Sequence, residues 1–413
     1  MFDIQKIREQ TKEVKKALLK RMAPEDLDLE TIIKLDDQRK ELIAQADELK
    51  AERNKSSKTK PTPEVIAQMK EIGEKIKKLD EDLNQVENDL KEKMSALPNI
   101  PADDVVAGGK ENNKVIYTFG EKPQFDFTPK DHVELATALN IIDYKRAAKM
   151  SGSGFWIYRG LGAELEWALL NYFVDFHRNN GYTFIIPPYL LNEDSAYASG
   201  HLPKFRDDLF WTQDKLCLNA TSEMMLGNYH RDEILDESEL PLKYYAYSAC
   251  FRREAGSYRA EERGMIRGHQ FNKIEMFQFT KPEDSWTAFE EIKRNAEKLV
   301  EGLGLHFQTS QLAAGDCSAA MAKTVDIEIW IPSMNVYKEV SSASNALDYQ
   351  ARRGNTRFKS QGGKNEFLHT LNASGLATSR LLPAILEQFQ QEDGSVVIPM
   401  VLRPYMGNKT VIK

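Results

Sequence analysis

The sequence predicts an α+β fold: an antiparallel β-sheet flanked by helices, preceded by an N-terminal antiparallel coiled-coil hairpin. Apolar residues recur at alternating steps of three and four along two charged segments ahead of residue 97, as in paired helices. Beyond residue 129, runs rich in aromatic and β-branched residues, such as YYAYSACF and FNKIEMFQFT, read as strands and are interspersed with helical patterns. Between the two regimes lies PNIPADDVVAGGKENNK, whose Pro, Gly, Asn and Asp content marks a boundary. The domain division is therefore 1–100, with a hairpin over about 27–97, a linker over 101–128, and a second domain over 129–413.

From the amino terminus, Asp3 to Met22 reads as one short amphipathic helix carrying Ile4, Ile7, Val14, Leu18 and Leu19, interrupted at Pro24. The first heptad segment places Ile32, Leu35, Arg39, Leu42, Ala46, Leu49 and Arg53 on one stripe; after SSKTKPTPE the second places Val65, Met69, Ile72, Ile76, Leu79, Leu83, Val86 and Leu90. Each arm should be roughly 40 to 50 Å long. A two-helix seam buries little beyond itself, so the hairpin should project from the body. Its tip is basic: Lys50, Arg53, Lys55, Lys58 and Lys60 stand against Glu52 alone. Such a cluster fits a lever that holds a large polyanion with salt-sensitive affinity. A dimerisation coiled coil or a solvated charge run has the same pattern.

After the boundary, 129–148 has helical character. SGSGFWIYRG is glycine-rich, but Ile157 stands where a third glycine of a dinucleotide fingerprint would fall. Leu161 to Arg178 is a strongly apolar helix ended by Asn179, Asn180 and Gly181, and TFIIPPYL is a strand halted by Pro187 and Pro188, hence an edge. A long helix feeding an edge strand suits a symmetric subunit contact as well as it suits a core. VDIEIWIPSMNVYKEVSSAS reads as a hairpin turning at Pro332 to Asn335, with Glu339 sharing a face with Tyr337 and Ser341. HTLNASGLATSRLLPAILEQFQ is a strand end leading into a helix, with Asn372 and Ser374 as caps and a kink at Pro383.

Composition is that of a globular protein, with 29% charged and 41% apolar residues. No run approaches the ~20 apolar residues needed to span a bilayer, and the amino terminus is charged where a signal peptide is apolar, so a cytoplasmic protein with no membrane partner is expected. Cys217, Cys250 and Cys317 lie far apart and predict neither a disulfide nor a zinc site. The net charge of −7 confines any polyanion contact to a local patch.

The stretch from Tyr244 to Thr280 organises the second domain. It reads as two neighbouring antiparallel strands joined by a long tip, and into this apolar setting it places Arg252, Glu254, Arg267, Lys273 and Glu275. Residues two apart on a strand share a face, so Arg252 with Glu254, and Lys273 with Glu275, should point the same way. Buried charge needs partners. Either these are cross-strand ion pairs on a wet sheet face, or they await a ligand that is itself both anionic and cationic.

Together, GYTFIIPPYL, CFRREAG with RGMIRGHQFNKIEMF, and LNASGLATSRLL resemble the three motifs of class II aminoacyl-tRNA synthetases. With the hairpin and the closing VLRPYM, the whole chain resembles the bacterial-type seryl-tRNA synthetases. The resemblance implies a class II antiparallel-sheet catalytic domain. It also implies a two-step reaction, in which serine's carboxylate attacks the α-phosphate of ATP and the seryl group then passes to the 3′ end of tRNA(Ser), and of tRNA(Sec) where the host has it. No protein nucleophile is needed, so catalysis rests on orientation and charge stabilisation.

Carried over residue by residue, the resemblance gives catalytic roles to Arg252, Arg380 and Glu339. ATP would meet Arg252, Arg253, Glu254, Arg267, Gly268, His269, Gln270, Phe271, Glu339, Val340, Ser341, Ser342 and Arg380. Serine would meet Thr221, Ser222, Glu223, Arg252, Glu275, Asn372 and Ser374, and Glu339 with Ser342 would hold Mg²⁺ through oxygen. The tRNA would be held by the basic tip, and a homodimer is implied. Two relatives of this kind are alternatives: a ligase that charges a carrier protein, which lacks the hairpin and holds zinc through cysteine, and a non-catalytic RNA-binding paralogue, which loses the phosphate-binding arginines. The hairpin, the lack of a cysteine set, and Arg252, Arg267 and Arg380 all point to the tRNA-charging form.

Overall fold

The structure, a computed structural model, describes residues 1–56, 62–255 and 264–413. Lys58, Lys60 and the tip between Gly256 and Arg263 lie outside the described residues. The chain forms two compact units, Met1–Ile100 and Pro101–Lys413.

In the first unit the predicted opening helix is two helices, Ile4–Glu9 and Thr11–Leu18, because Asp3 caps the first and the backbone leaves helical geometry at Gln10. Ile7, Val14 and Leu18 pack with Leu29, Ile32, Leu90 and Met94 at the base of the hairpin. The arms are α1 (Leu29–Ser56) and α2 (Pro63–Ala96), of 28 and 34 residues, hence about 42 and 51 Å long at the α-helical rise. Thr62 caps α2 and Pro63 occupies its first turn. Ala46, Ile72 and Ile76 are buried in the seam, where most other side chains of the arms are not. Near the base, the buried Asp36 is held by Arg8 at 3.1 Å, Arg39 at 2.7 Å and Lys40 at 2.8 Å.

The second unit is built on an eight-stranded sheet. Its strands are β1 (Lys114–Phe119), β2 (Thr183–Ile185), β3 (Leu242–Phe251), β4 (Gln270–Thr280), β5 (Phe307–Gln311), β6 (Lys323–Ile331), β7 (Val336–Leu347) and β8 (His369–Ala377). Their spatial order is β1-β5-β6-β7-β8-β4-β3-β2, antiparallel throughout except for β2 beside β3. As TFIIPPYL implied, β2 is an edge. The expected linker 101–128 supplies the opposite edge, β1; its side chains are almost all exposed, so no apolar alternation betrayed it. The helical stretch 129–148 divides into His132–Ala138, closed by an Asp131/Glu134 capping box, and Tyr144–Ser151.

Helices α3 (Leu161–Asn179), α4 (Ser285–Leu303) and α6 (Thr378–Gln388) contribute Leu165, Leu169, Phe173, Ile292, Leu299, Leu381 and Ile385 to one core with the sheet. A five-residue helix, α5 (Tyr349–Arg353), follows β7. One local expectation changes. Asn372 and Ser374 are not caps: β8 runs on through them and the residue before α6 is Ala377. Pro383, where a kink is expected, lies inside α6, which continues for five residues beyond it.

Candidate active site

Four neighbouring strands each present an i, i+2 pair of polar residues to one cavity of about 640 Å³: Thr324 and Asp326 on β6, Ser342 and Ser344 on β7, Asn372 and Ser374 on β8, Lys273 and Glu275 on β4. The alternation of strand side chains accounts for this row. Register confirms its continuity, since Asp326 stands opposite Ser342, Thr324 opposite Ser344, Ser344 opposite Asn372 and Ser374 opposite Glu275. Glu339 joins the row through a bulge: Ser341 pairs with Ile327 and Glu339 with Glu328, leaving Val340 unmatched. The extra residue slips the phase, so Glu339 faces the cavity with Ser342, not with Ser341 as simple alternation predicts. Ser341 is fully buried and donates to the Ser374 carbonyl at 2.6 Å.

Lys273 and Glu275 form an ion pair at 2.5 Å, and Lys273 also donates to Thr221 at 2.7 Å. The predicted same-face relation thus holds on β4. It does not hold for Arg252 and Glu254, because β3 ends at Phe251 and Glu254 adopts a left-handed φ of 50°. Both nevertheless reach the cavity, Arg252 resting over the Phe271 ring with its Nε 3.3 Å from the Ala220 carbonyl. Arg267 donates to Glu254 at 2.5 Å.

An adjoining recess of about 60 Å³ shares Arg252, Glu254, Arg267, Lys273, Glu339 and Ser374 with the cavity and adds Gly268, Phe271, Val340 and Arg380. Arg380 is held there by the Glu339 carbonyl at 2.7 Å and the Ile266 carbonyl at 3.2 Å. The glycine-rich 151–160 stretch packs against this wall: a Cβ on Gly268 would lie 2.1 Å from the Trp156 ring, and one on Gly154 would lie 2.6 Å from the His269 ring. Those glycines therefore serve close packing.

Of the residues carried over by resemblance, Thr221, Glu223, Arg252, Glu254, Arg267, Glu275, Glu339, Ser342, Asn372 and Ser374 line the cavity. Gly268, Phe271, Val340 and Arg380 line the recess. Ser222, Arg253, His269, Gln270 and Ser341 line neither. Ser222 is buried against Ser248 at 2.7 Å, His269 is held by the Gly154 and Arg252 carbonyls, Arg253 bonds Asp208 through its backbone, and Gln270 sits in the ladder opposite Phe251. In the first unit Lys50 pairs with Asp80 across the hairpin at 3.3 Å, while Arg53 and Lys55 are exposed.

The carry-over omitted Lys273, Asp326 and Ser344. Lys273 had a signal, a lysine two residues from a glutamate in an apolar strand; Asp326 had only its place in VDIEIW.

Electrostatics show what the cavity lacks. The Glu223 carboxyl is pushed up to about 7 by burial and by the neighbouring Glu275. Asp326 is raised well above the carboxylate range by burial and by Glu339, and its Oδ1 has no hydrogen-bond partner among the described residues. His201 is pushed down to about 3 by burial and by Arg252 and Lys273. The raised carboxyls would be relieved by a cationic ligand. Arg252, Arg267 and Arg380 line the same cavity and its recess and would attract an anionic one. Among the described residues no group of three or more His, Cys, Asp or Glu is arranged to hold a metal by itself. Glu339, Ser342 and the orphaned Asp326 oxygen are hard oxygen donors on one wall, which fits a cation that takes its remaining ligands from phosphate and water.

Residues 1–101 match the seryl-tRNA synthetase N-terminal domain, and residues 205–389 match the tRNA synthetase class II core domain (G, H, P, S and T). The chain is 56% identical to serine–tRNA ligase 2 of Clostridium acetobutylicum, over 98% of this chain and 99% of that protein. It is 46% identical to serine–tRNA ligase of Bacillus subtilis over 100% of both. Among solved structures it resembles seryl-tRNA synthetase from Pyrococcus horikoshii complexed with ATP, with a TM-score of 0.92 and 35% identity over 100% of this chain and 99% of that one. It also resembles the cytoplasmic serine–tRNA ligase from Naegleria fowleri in complex with AMP, with a TM-score of 0.88, 31% identity and the same coverage.

Proposed function

From the premise that the chain belongs to the seryl-tRNA synthetase family, we propose how its own cavity carries out that family's reaction. The fold is that of a class II synthetase, and the enzyme activates L-serine with ATP and transfers the seryl group to tRNA. One observation carries the assignment of residues: carboxyls, one of them raised by burial, and three arginines line one cavity and its recess, the charge pattern that suits a zwitterion beside a triphosphate.

Serine's ammonium lies against Glu223 and Glu275, and its hydroxyl against Thr221, Asn372 and Ser374. Arg252, fixed over Phe271 and against the Ala220 carbonyl, meets the serine carboxylate and the α-phosphate together. That bidentate role aligns the attacking oxygen with phosphorus and offsets the negative charge both bring. As the carboxylate oxygen bonds to phosphorus, the bond to pyrophosphate breaks, and Arg380 holds the departing γ-phosphate end. Arg267, braced by Glu254, lies beside the nucleotide, and Glu254 reaches toward adenine. Val340 lines the recess, and Ser341 stiffens the wall through its bond to Ser374. Glu339 and Ser342 would hold Mg²⁺, which when bound neutralises phosphate charge. In the second step the tRNA 3′-hydroxyl attacks the seryl carbonyl and AMP leaves.

A site built to bond a hydroxyl rejects alanine by roughly 10⁴, because its polar groups would stay unpaired. The acceptor is tRNA(Ser), with tRNA(Sec) where the host supplies it, engaged through Lys50, Arg53 and Lys55 of the hairpin. A homodimer is supported by edge strand β2, beside which Phe184 and Ile186 are 40% and 73% exposed and Trp167 is 57% exposed. Among the described residues no helix is long and apolar enough to cross a membrane, consistent with work in the cytoplasm.

The test is ATP–pyrophosphate exchange with each of the twenty amino acids, magnesium supplied. Exchange with serine alone is expected. Exchange with none, or with a different amino acid, overturns the reading.

A further inference from the structure

The cavity wall behind Glu223 is fastened by one residue outside the three motifs. Gln350, on α5, is buried and spends each of its hydrogen-bonding groups on a different element. Its Nε2 donates to Glu223 Oε1 at 2.7 Å and to the Ser199 carbonyl at 2.9 Å, while its Oε1 accepts from Thr370 Oγ1 at 2.7 Å. The Ser199 carbonyl can only accept, so the amide has one orientation that satisfies all three partners. Thr370 itself lies on β8, the strand that carries Asn372 and Ser374.

The consequences for Glu223 are specific. One of its oxygens is occupied from behind, leaving Oε2 for whatever enters the cavity. The Gln350 N–H also favours the ionised carboxylate, against the burial and the Glu275 charge that raise it. The same amide ties down Ser199, which with Gly200 and His201 forms the adjoining wall. Two sides of the pocket are thereby locked to a third.

We infer that Gln350 is a positioning residue for amino-acid recognition: by holding Glu223 Oε1 and the Ser199 carbonyl it aims the free Glu223 oxygen at serine, while itself touching neither serine nor ATP. This rests on the placement of Glu223 in the serine pocket. It adds a residue on α5, a helix that carries none of the catalytic motifs.

The variants that test it are Gln350→Met, which keeps shape and apolar packing but removes both donors, and Gln350→Glu, which keeps length but sets a second carboxyl against Glu223. In serine-dependent pyrophosphate exchange, Gln350→Met is expected to raise the serine KM about tenfold, the scale of one lost hydrogen bond to a charged group. The ATP KM should stay near its starting value, while the thermal midpoint falls because the buried Ser199 carbonyl and Thr370 hydroxyl lose their partner. Gln350→Glu should raise the serine KM further. Thr370→Val, which frees only the far end of the amide, should act in the same direction and less. Equal rises in both KM values, or a serine KM unmoved by Gln350→Met, would overturn the inference. Glu223→Gln is measured alongside. If it leaves the serine KM unchanged, the pocket assignment itself has failed; if it raises KM while Gln350→Met does not, only the positioning role has.

Discussion

Two lysine–carboxylate pairs in this molecule have the same chemistry and opposite meanings. Lys50 and Asp80 meet across the hairpin at 3.3 Å with side chains 43% and 47% exposed; Lys273 and Glu275 meet in the sheet at 2.5 Å with side chains 6% and 3% exposed. In water such a pair contributes little, because solvent screens it and two long side chains lose freedom. Out of water each charge is costly unless its partner stays in place. A hairpin can therefore hold many charges without depending on any one of them, and offer them to a large polyanion. A cavity can keep charges only where they are mutually held, and so can be exact about a small ligand.

The division of labour is tested most severely by removing the hairpin between about Leu35 and Leu90. Serine-dependent pyrophosphate exchange should persist near its full rate while tRNA charging is lost. Loss of both together would mean that the two units do not divide the reaction.

Within the cavity, Lys273→Met should be the most damaging single change to stability. It strands Glu275 without its cation and leaves Thr221 without its donor, a loss of about 3 to 5 kcal/mol by analogy with other broken buried pairs. Urea unfolding measures it, with exchange activity falling in parallel. A variant of near-normal stability would show that water reaches the pair.

These two regions were also unequally legible. The hairpin follows from heptad spacing, since each apolar residue reports its own face; Ala46, Ile72 and Ile76 are buried as their positions imply. Strands β3 and β4 follow equally from aromatic and β-branched runs. The cavity depends on features that spacing does not encode. The bulge at Val340 exchanges Ser341 for Ser342 on the site face, and a count of residues two apart cannot see it. Strand β1 hides within a Pro- and Gly-rich stretch because an exposed edge needs no apolar alternation. Gln350 reaches Glu223 across 127 positions of sequence, and a glutamine in YQARR carries no mark of that contact. The motif likeness named candidate site residues, and among them Ser222, His269 and Gln270 line neither the cavity nor the recess.

Buried acids sharpen the contrast between the units. Asp36 in the first is ringed by Arg8, Arg39 and Lys40. Glu166 in the second has no cationic partner among the described residues and is held by neutral groups, Asn272 at 2.8 Å and Thr378 at 2.6 Å, with Tyr158 beside it. Burial pushes it from its ordinary 4.5 up to about 7. The folded chain thus holds a proton that the unfolded chain releases above about pH 4.5, so Glu166 costs stability as pH rises from 4.5 to 7 and fully above that. Glu166→Gln keeps an acceptor for Asn272 and Thr378 and cannot ionise. Relative to the parent it should gain up to about 3 kcal/mol between pH 4.5 and pH 8, read from urea midpoints across that range. Parallel pH profiles for the two proteins would show that the acid is not confined to its neutral form.

The smallest expected change lies at the other end of the comparison. Lys50→Ala removes one exposed partner of Asp80 and should alter unfolding stability by no more than about 0.5 kcal/mol. Its effect belongs instead to the polyanion. Each phosphate neutralised releases counterions, so losing one contact should lower the slope of log affinity for tRNA against log salt by about 0.7 to 0.9. Filter binding across a salt series measures that slope, and serine-dependent exchange serves as the internal control because it does not use the arm. An unchanged slope would assign Lys50 to its bridge with Asp80 and leave the contact to Arg53 and Lys55, which are exposed on the same helix.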